Sequence, residues 1–252
     1  MLSQTLSQTL SQTTVVSVVS VVISVICVTM IALLIELRAR DQDESQDESH
    51  PVVNILIRTC YRPNHFSRML ESIRSQTYKN VRLIVSYDDD RALEYLEYLL
   101  RDVHAAKVRV HKNPEIPAFY NLYCNELLKM TKKGLVLFLD DDDCFAADDA
   151  LERIVKNVKA KNDIVFWKFQ QAPGQIVFPE TTTNIRAGTV ANSSYIFHSS
   201  YSRISRYEPG QLGDFAFIEN LLKNCKFNVK FDANIYTKTQ DDIGGHYGED
   251  LK

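Results

Sequence analysis

The chain has 252 residues, 45% of them hydrophobic and 24% charged, and a formal net charge of -3. That is room for one ordinary domain with a real core plus an appendage, and the near balance of charge argues against a nucleic-acid partner. Five cysteines without a C-x-x-C pair indicate neither a zinc site nor a disulfide framework.

Residues 1–13 repeat Leu-Ser-Gln-Thr from Leu2, Leu6 and Leu10 and read as a low-complexity tail. Residues 14–35 carry no charge and are rich in Val and Ile. As a helix they would span about 33 Å, enough to cross a bilayer. The run exceeds a signal-peptide core, and no clear small-residue cleavage site comes after it. A single transmembrane anchor is expected; a buried core helix would sit badly between a polar repeat and an acidic one. Residues 36–50 contain Gln-Asp-Glu-Ser twice, from Gln42 and Gln46, and read as an acidic, solvated linker. Arg38 and Arg40 stand after the anchor and no Lys or Arg precedes it, so the positive-inside bias puts the C-terminal part in the cytoplasm. The folded domain is expected over 51–252.

Val52 to Arg58 is an apolar, β-branched run, the first expected strand. Asn64 is the expected cap of a helix with Phe66, Met69, Leu70 and Ile73 at helical spacing. Val81 to Tyr87 reads as a strand ending at Asp88, Asp89 and Asp90. Arg91 to Val103 reads as a helix, Val108 to His111 as a short strand, and Phe119 to Met130 as a helix. Gly134 to Asp140 is a strand, and Leu151, Ile154, Val155 and Val158 mark the next helix. Asp163 to Phe169 is a strand turning at Pro173 and Gly174. Thr181 to Ala191 is polar loop, and Tyr195 to Phe197 a short strand. Phe215 to Cys225 is helical, Phe227 to Tyr236 a late strand pair, and the glycine-rich tail around His246 a loop. Alternating strands and helices predict an α/β fold with a doubly wound, mostly parallel sheet.

The strand Leu135 to Leu139 ends in Asp140, Asp141, Asp142 and Asp143. Its apolar part has the look of a strand buried on both faces. In open α/β sheets ligands bind at the C-terminal ends of strands. Adjacent carboxylates raise each other's pKa unless a cation sits among them, and hard oxygen ligands suit Mg2+ or Mn2+. The plain alternative is a solvated acidic turn. A calcium loop is disfavoured, because the D-x-D-x-D-G spacing is missing.

With these residues placed, the domain resembles the GT-A glycosyltransferases, family 2 in particular. Val53 to Arg58 with Thr59, Cys60, Tyr61 and Arg62 after it looks like the opening strand and Thr-x-Tyr turn. Ser72 to Tyr78 (SIRSQTY) matches the family's helix end, and Val81 to Asp89 its acid-tipped strand. Leu137 to Asp143 fits the strand carrying the D-x-D motif. Gly213, Asp214 and Phe215 stand where many members have Glu-Asp before a helix. The resemblance covers about residues 52–240 and implies the GT-A fold. It implies transfer of a sugar from a nucleotide-diphosphate donor, a UDP-sugar by expectation, to a hydroxyl on a glycan or glycoconjugate.

That resemblance assigns Thr59 and Tyr61 to the nucleoside pocket, Asp88 to the base and Arg62 to phosphate, with Asp140 and Asp141 on the donor. Asp142 and Asp143 would hold Mn2+ or Mg2+ directly, with Asp140 in support, and His246 is a further candidate ligand. Asp214 is the candidate general base of an inverting displacement. Each has a plainer reading. Thr59 and Tyr61 could be strand-end turn residues, Asp88 and Asp214 helix N-caps, and His246 a surface residue. His198, Tyr195, Tyr201 and Tyr207 are expected near the acceptor. Asn192-Ser193-Ser194 is a glycosylation sequon, used only if the domain faces a lumen, which resemblance to Golgi transferases would favour. Two departures stand out: Gly213 replaces the usual Glu, and Phe119 and Tyr120 stand where relatives often carry a basic donor contact. The alternatives are a nucleotidyltransferase, disfavoured because Thr59 to Asn64 lacks a Gly-rich loop, and an inactive membrane-tethered sugar- or cation-binding module.

Overall fold

The computed structural model describes residues 29–31, 50–210 and 212–240. The chain divides into two units, Met1–Glu48 and Ser49–Lys252, and almost all described residues belong to the second. Among the described residues no helix is long and apolar enough to cross a membrane. The expected tail at 1–13, nearly all of the expected anchor at 14–35 and linker at 36–50, and His246 lie outside the described residues.

The second unit carries one nine-stranded sheet in the order β3-β2-β1-β4-β8-β6-β9-β5, with β7 paired to β6. Its first half is β1 (Val53–Thr59), β2 (Val81–Tyr87), β3 (Ala105–Arg109) and β4 (Leu135–Phe138). These four run parallel, with Val53 opposite both Val81 and Leu135. Helices α1 (Pro63–Arg74), α2 (Ala92–Leu99) and α3 (Tyr123–Lys129) make the crossovers. Successive strand residues face opposite sides. Ile55 and Ile57 therefore pack with Phe66, Met69 and Leu70 of α1 and Leu96 of α2. Leu56, Val136 and Phe138 pack on the other face with Leu127 and Leu128 of α3. Covering both faces is what makes these strands continuous apolar runs.

The second half differs from the expected mostly parallel sheet. It holds β5 (Asp143–Phe145), α4 (Ala150–Asn157), β6 (Asp163–Ala172), β7 (Gln175–Val177), β8 (Tyr195–His198), α5 (Gly213–Asn224) and β9 (Asn228–Thr239). β8 runs antiparallel to both β4 and β6, and β5 antiparallel to β9; only β6 and β9 pair in parallel. The sheet is mixed because β8 is entered from the β6–β7 hairpin without a crossover α-helix.

Several boundaries move. α1 starts at Pro63 with Arg62 at its N-cap and no side-chain cap, so Asn64 is not the cap. Proline suits the first helical position, where its missing N–H loses nothing. α2 stops at Leu99, which frees Ala105 and Ala106 to start β3. The helix expected from Phe119 opens as a 3-10 turn, Phe119–Leu122. The late strand pair is the single strand β9, whose pairing with β6 shifts register near Trp167 and Lys168.

Candidate active site

β1, β2, β4 and the start of α5 bring their ends to one cavity of about 820 Å³. Thr59, Arg62, Asp88, Asp140, Asp142 and Asp143 line it, and Asp214 does too. Apart from Asp88 and the acid turn, Asp214 is the one acidic residue among the described residues that line it.

The four acids after β4 alternate in burial, as a strand end does. Asp141 is enclosed and does not line the cavity. It accepts the Thr59 hydroxyl at 2.6 Å and is gripped by two nitrogens of Arg62. Burial pushes the Asp141 carboxyl up, and the Arg62 guanidinium pulls it back. Arg62 also reaches Asp142 at 3.2 Å. Asp140 is held by Arg58, with Nε–H donating at 2.7 Å. Burial alone would lower the Arg58 pKa, but Asp140 raises it well above its ordinary value. Arg58 Nη1 also donates to Asn121 at 3.0 Å. Asp143 accepts the Ser193 hydroxyl. Burial, then Asp142 and Asp140, push its carboxyl well up. Gln240 ties the turn down: its N–H donates to the Asp142 carbonyl at 2.7 Å and its amide to the Asp141 carbonyl at 2.9 Å.

Asp88, just after β2, lines the same cavity. One oxygen accepts the Tyr123 hydroxyl at 3.0 Å. The other, Oδ1, is buried without a hydrogen-bond donor among the described residues, although Lys112 Nζ stands 3.6 Å away. A buried carboxylate oxygen without a donor is costly and suits a ligand N–H. α2 has Arg91 at its N-cap, so the capping reading of Asp88 does not hold.

Asp214 lies in the first turn of α5, inside a helix whose N-cap is Leu212. It is therefore not the cap. Burial pushes its carboxyl up to about 6, against the pull of Arg58; Asp140 adds to the rise and the Asn192 N–H opposes it.

Other expected site residues stand elsewhere. Tyr61 is 44% exposed, off the cavity, with Arg91 over its ring at 4.4 Å. Thr59 lines the cavity, but its hydroxyl is committed to Asp141 and stands 2.9 Å from the Tyr95 hydroxyl. Tyr195 and Tyr207 are buried, Tyr201 packs on Phe227 and His198 caps Ser200, so none of the four borders the cavity. Phe119 and Tyr120 do line it. The sequon is closed: Asn192 is 3% exposed and both serines are fully buried.

Sequence reasoning missed Arg58, Lys112, Asn121 and Ser193. The signal for Arg58 was available, since a lone charge near the C-terminal end of an apolar strand points into the ligand crevice. The others depend on loops whose paths no periodicity reveals.

The donors fit a divalent cation in part. Among the described residues no group of three or more His, Cys, Asp or Glu side chains is gathered as a ligand set. Asp142 and Asp143 both face the cavity, and Asp143 is under repulsion from its neighbours. Two carboxylates with phosphate and water are an ordinary Mg2+ arrangement.

A family model described as Glycosyl transferase family 2 matches residues 55–222. A second, Proheparin-binding EGF-like growth factor C-terminal domain, matches residues 7–49. No curated protein matches the sequence. Among solved structures, S. aureus TarS 1-349 in complex with UDP-GlcNAc is similar at 18% identity over 77% of this chain and 60% of that one, with a TM-score of 0.60. The mannosyltransferase PcManGT from Pyrobaculum calidifontis, in complex with GDP-Man and Mn2+, is similar at 14% identity over 82% of this chain and 63% of that one, with a TM-score of 0.57. The chain spans about three fifths of the length of these relatives. At such identities the likeness is one of fold, and that fold is GT-A.

Proposed function

This chain belongs to glycosyl transferase family 2, and from that premise we propose that it transfers a sugar from a nucleoside-diphosphate donor to an acceptor hydroxyl with inversion. The observation that carries the reading is the cavity itself. Asp88, Asp142, Asp143 and Asp214 line it together, and Asp88 keeps a buried oxygen without a hydrogen-bond donor among the described residues. Asp88 Oδ1 suits an N–H on a nucleobase edge, and Lys112 beside it suits a base carbonyl. Together they suit a base with an N–H beside a carbonyl, as uracil and guanine both have; UDP-sugars are the proposed donors, with GDP-sugars the competing ones.

Asp142 and Asp143 would hold Mn2+ or Mg2+, which when bound neutralises the diphosphate as it leaves. Arg58 and Arg62 hold Asp140 and Asp141. Asp214 accepts the proton of the acceptor hydroxyl as its oxygen attacks the anomeric carbon. The bond from that carbon to the diphosphate breaks, and the nucleotide takes the electron pair. One carboxylate on the acceptor side is what direct displacement needs, and that route inverts the anomeric centre. The acceptor is proposed to be a glycan or glycoconjugate, and residues 14–35 to anchor the enzyme by one membrane crossing.

The test is a thermal-shift panel of UDP, UDP-GlcNAc and GDP-Man with Mn2+ or with excess chelator. UDP should stabilise the protein only with the cation present. The doubly substituted Asp142→Asn/Asp143→Asn protein should lose that response. Equal UDP stabilisation in chelator would reject the metal part of the reading.

A further inference from the structure

Asp88 is held in one orientation from two sides. Tyr123, at the start of α3, donates its hydroxyl to Asp88 Oδ2 at 3.0 Å. Arg109, at the end of β3, fixes the backbone. Its Nη1 donates to the Asp88 carbonyl at 3.0 Å, while its Nε–H donates to the Asp90 carboxylate at 2.6 Å. Tyr123 is itself buried, and Phe119 packs edge-on against its ring at 5.9 Å. Burial, then Asp88, pushes the Tyr123 hydroxyl well up, so it keeps its proton and donates.

The two oxygens of this carboxylate are therefore unlike. Oδ2 is spent on Tyr123, whose ring stands beside it. Oδ1 is buried without a donor among the described residues, and Lys112 Nζ, on a half-exposed side chain, is 3.6 Å away. Asp88, Lys112, Phe119 and Tyr123 line the cavity together. A ligand that reaches this corner meets one acceptor oxygen and one cation.

We propose that Tyr123 is a positioning residue that sets base specificity: by occupying Asp88 Oδ2 it leaves a donor base a single carboxylate oxygen, which favours uracil over guanine. The proposal rests on the reading of Asp88 as the base contact. Uracil has one N–H with carbonyls beside it, so Oδ1 takes the N–H and Lys112 a carbonyl. Guanine presents two adjacent donors, N1–H and the 2-amino group, and a carboxylate meets that pair with both of its oxygens. With Oδ2 taken, the 2-amino group enters the site without an acceptor. An unmet polar group of that kind is what makes a pocket reject a ligand.

The experiment titrates the full chain, with Mn2+ present, with UDP, GDP and inosine diphosphate. Inosine diphosphate keeps the purine, the N1–H and the carbonyl of GDP and lacks only the 2-amino group. The ratio of those two affinities therefore reads the second oxygen with no effect of base size. In wild type, UDP should bind more tightly than GDP, and inosine diphosphate at least as tightly as GDP. In Tyr123→Phe, which frees Oδ2, GDP should gain about tenfold on inosine diphosphate, the worth of one hydrogen bond. A loss of stability alone would lower all affinities alike and leave that ratio where it was. GDP bound by wild type more tightly than UDP, or tenfold more tightly than inosine diphosphate, would overturn the proposal with no variant needed. So would a folded Tyr123→Phe whose ratio equals that of wild type. Asp88→Asn separates the proposal from the reading beneath it. Unaltered affinity for all three nucleotides takes the base away from Asp88 and removes both. Weakened UDP binding there, beside an unmoved ratio in Tyr123→Phe, removes the role of Tyr123 alone.

Discussion

A Cβ placed on Gly213 would come within 2.5 Å of Asn121 Nδ2 and 2.8 Å of its Cγ. The Asn121 side chain cannot simply step aside. Its amide donates to the Gly210 carbonyl at 2.6 Å and its oxygen accepts Arg58 at 3.0 Å. The glycine where many relatives keep a glutamate is therefore matched by an asparagine that fills the space and steadies Arg58. In this chain the departure has a packing cause.

Gly213→Ala should accordingly destabilise the domain by about 1–3 kcal/mol, as overpacking does, although alanine favours helices. In an Asn121→Ala background the same substitution should be nearly harmless. Residues in direct contact couple by about 0.5 kcal/mol or more. Urea unfolding of the two single variants and the double measures that coupling, and strict additivity would show that the two do not compete for space.

Arg62→Ala should be among the most damaging single changes. The Asp141 side chain is fully buried and Arg62 neutralises it. Removing one partner of a buried pair costs about 3–5 kcal/mol, because the other charge stays uncompensated. Asp141→Asn added to Arg62→Ala should recover part of the loss. A loss below about 1 kcal/mol in calorimetry would mean that Thr59 and neighbouring groups suffice to hold Asp141.

Much of the site's location was legible before its contacts were. The apolar run Leu135 to Leu139 had to be a strand buried on both faces, and a strand of that kind puts the acids after it at the ligand crevice. What the acids do there was not legible. Four adjacent carboxylates read alike in sequence, yet Arg58 and Arg62 from β1 and its turn divide them into enclosed and open positions. The antiparallel half of the sheet was hidden for a related reason. β8 is too short to show a period, and its neighbours are set by long-range pairing. The aromatic residues of that region looked like an acceptor platform but are core, because Tyr195 and Tyr207 turn their hydroxyls to Asn192.

Asp88→Asn should weaken UDP binding by about tenfold while leaving the melting temperature of the free protein nearly unchanged. The asparagine keeps one acceptor, but it removes the charge that an N–H of the base would meet and the partner of Lys112. Isothermal titration with UDP and Mn2+ reads the affinity directly. Unaltered affinity would move the base away from Asp88 Oδ1.

Asn192 should carry no glycan on either side of a membrane, since the folded chain encloses the whole sequon. The side of the membrane that the proposed anchor would give the domain needs a different reporter. Asn184 is exposed in the loop before β8, and Arg186→Thr completes an acceptor sequence there. Expressed in a secretory-competent cell, that variant shifts on a gel and reverts with a glycosidase only if the domain is lumenal. The positive-inside bias predicts no shift. A glycosidase-sensitive shift in the unsubstituted chain would contradict the buried sequon.

The sharpest prediction concerns Asp214. Its carboxyl stands at about 6 because burial outweighs the pull of Arg58. A general base acts in its ionised form, so kcat/KM should fall tenfold for each pH unit below about 6, well above the ordinary range for aspartate. Asp214→Asn should remove that limb and lower turnover by roughly 10²–10⁴-fold, while UDP and Mn2+ still bind. Stability responds to pH in the opposite sense. A folded-state pKa above the unfolded value means that the native protein binds the proton more tightly, so this group's contribution is lost as pH rises through about 6. At pH 8 the neutral asparagine should therefore melt no lower than wild type, and higher if Asp214 is the dominant buried charge there. A helix cap would give the opposite pair of results: activity kept, and no gain in stability, since asparagine caps as well as aspartate does. Initial rates of Asp214→Asn across pH 5 to 8, its melting temperature at pH 8 and the product anomer by NMR decide the matter. Near-normal turnover or retention of the donor's configuration would reject Asp214 as the base.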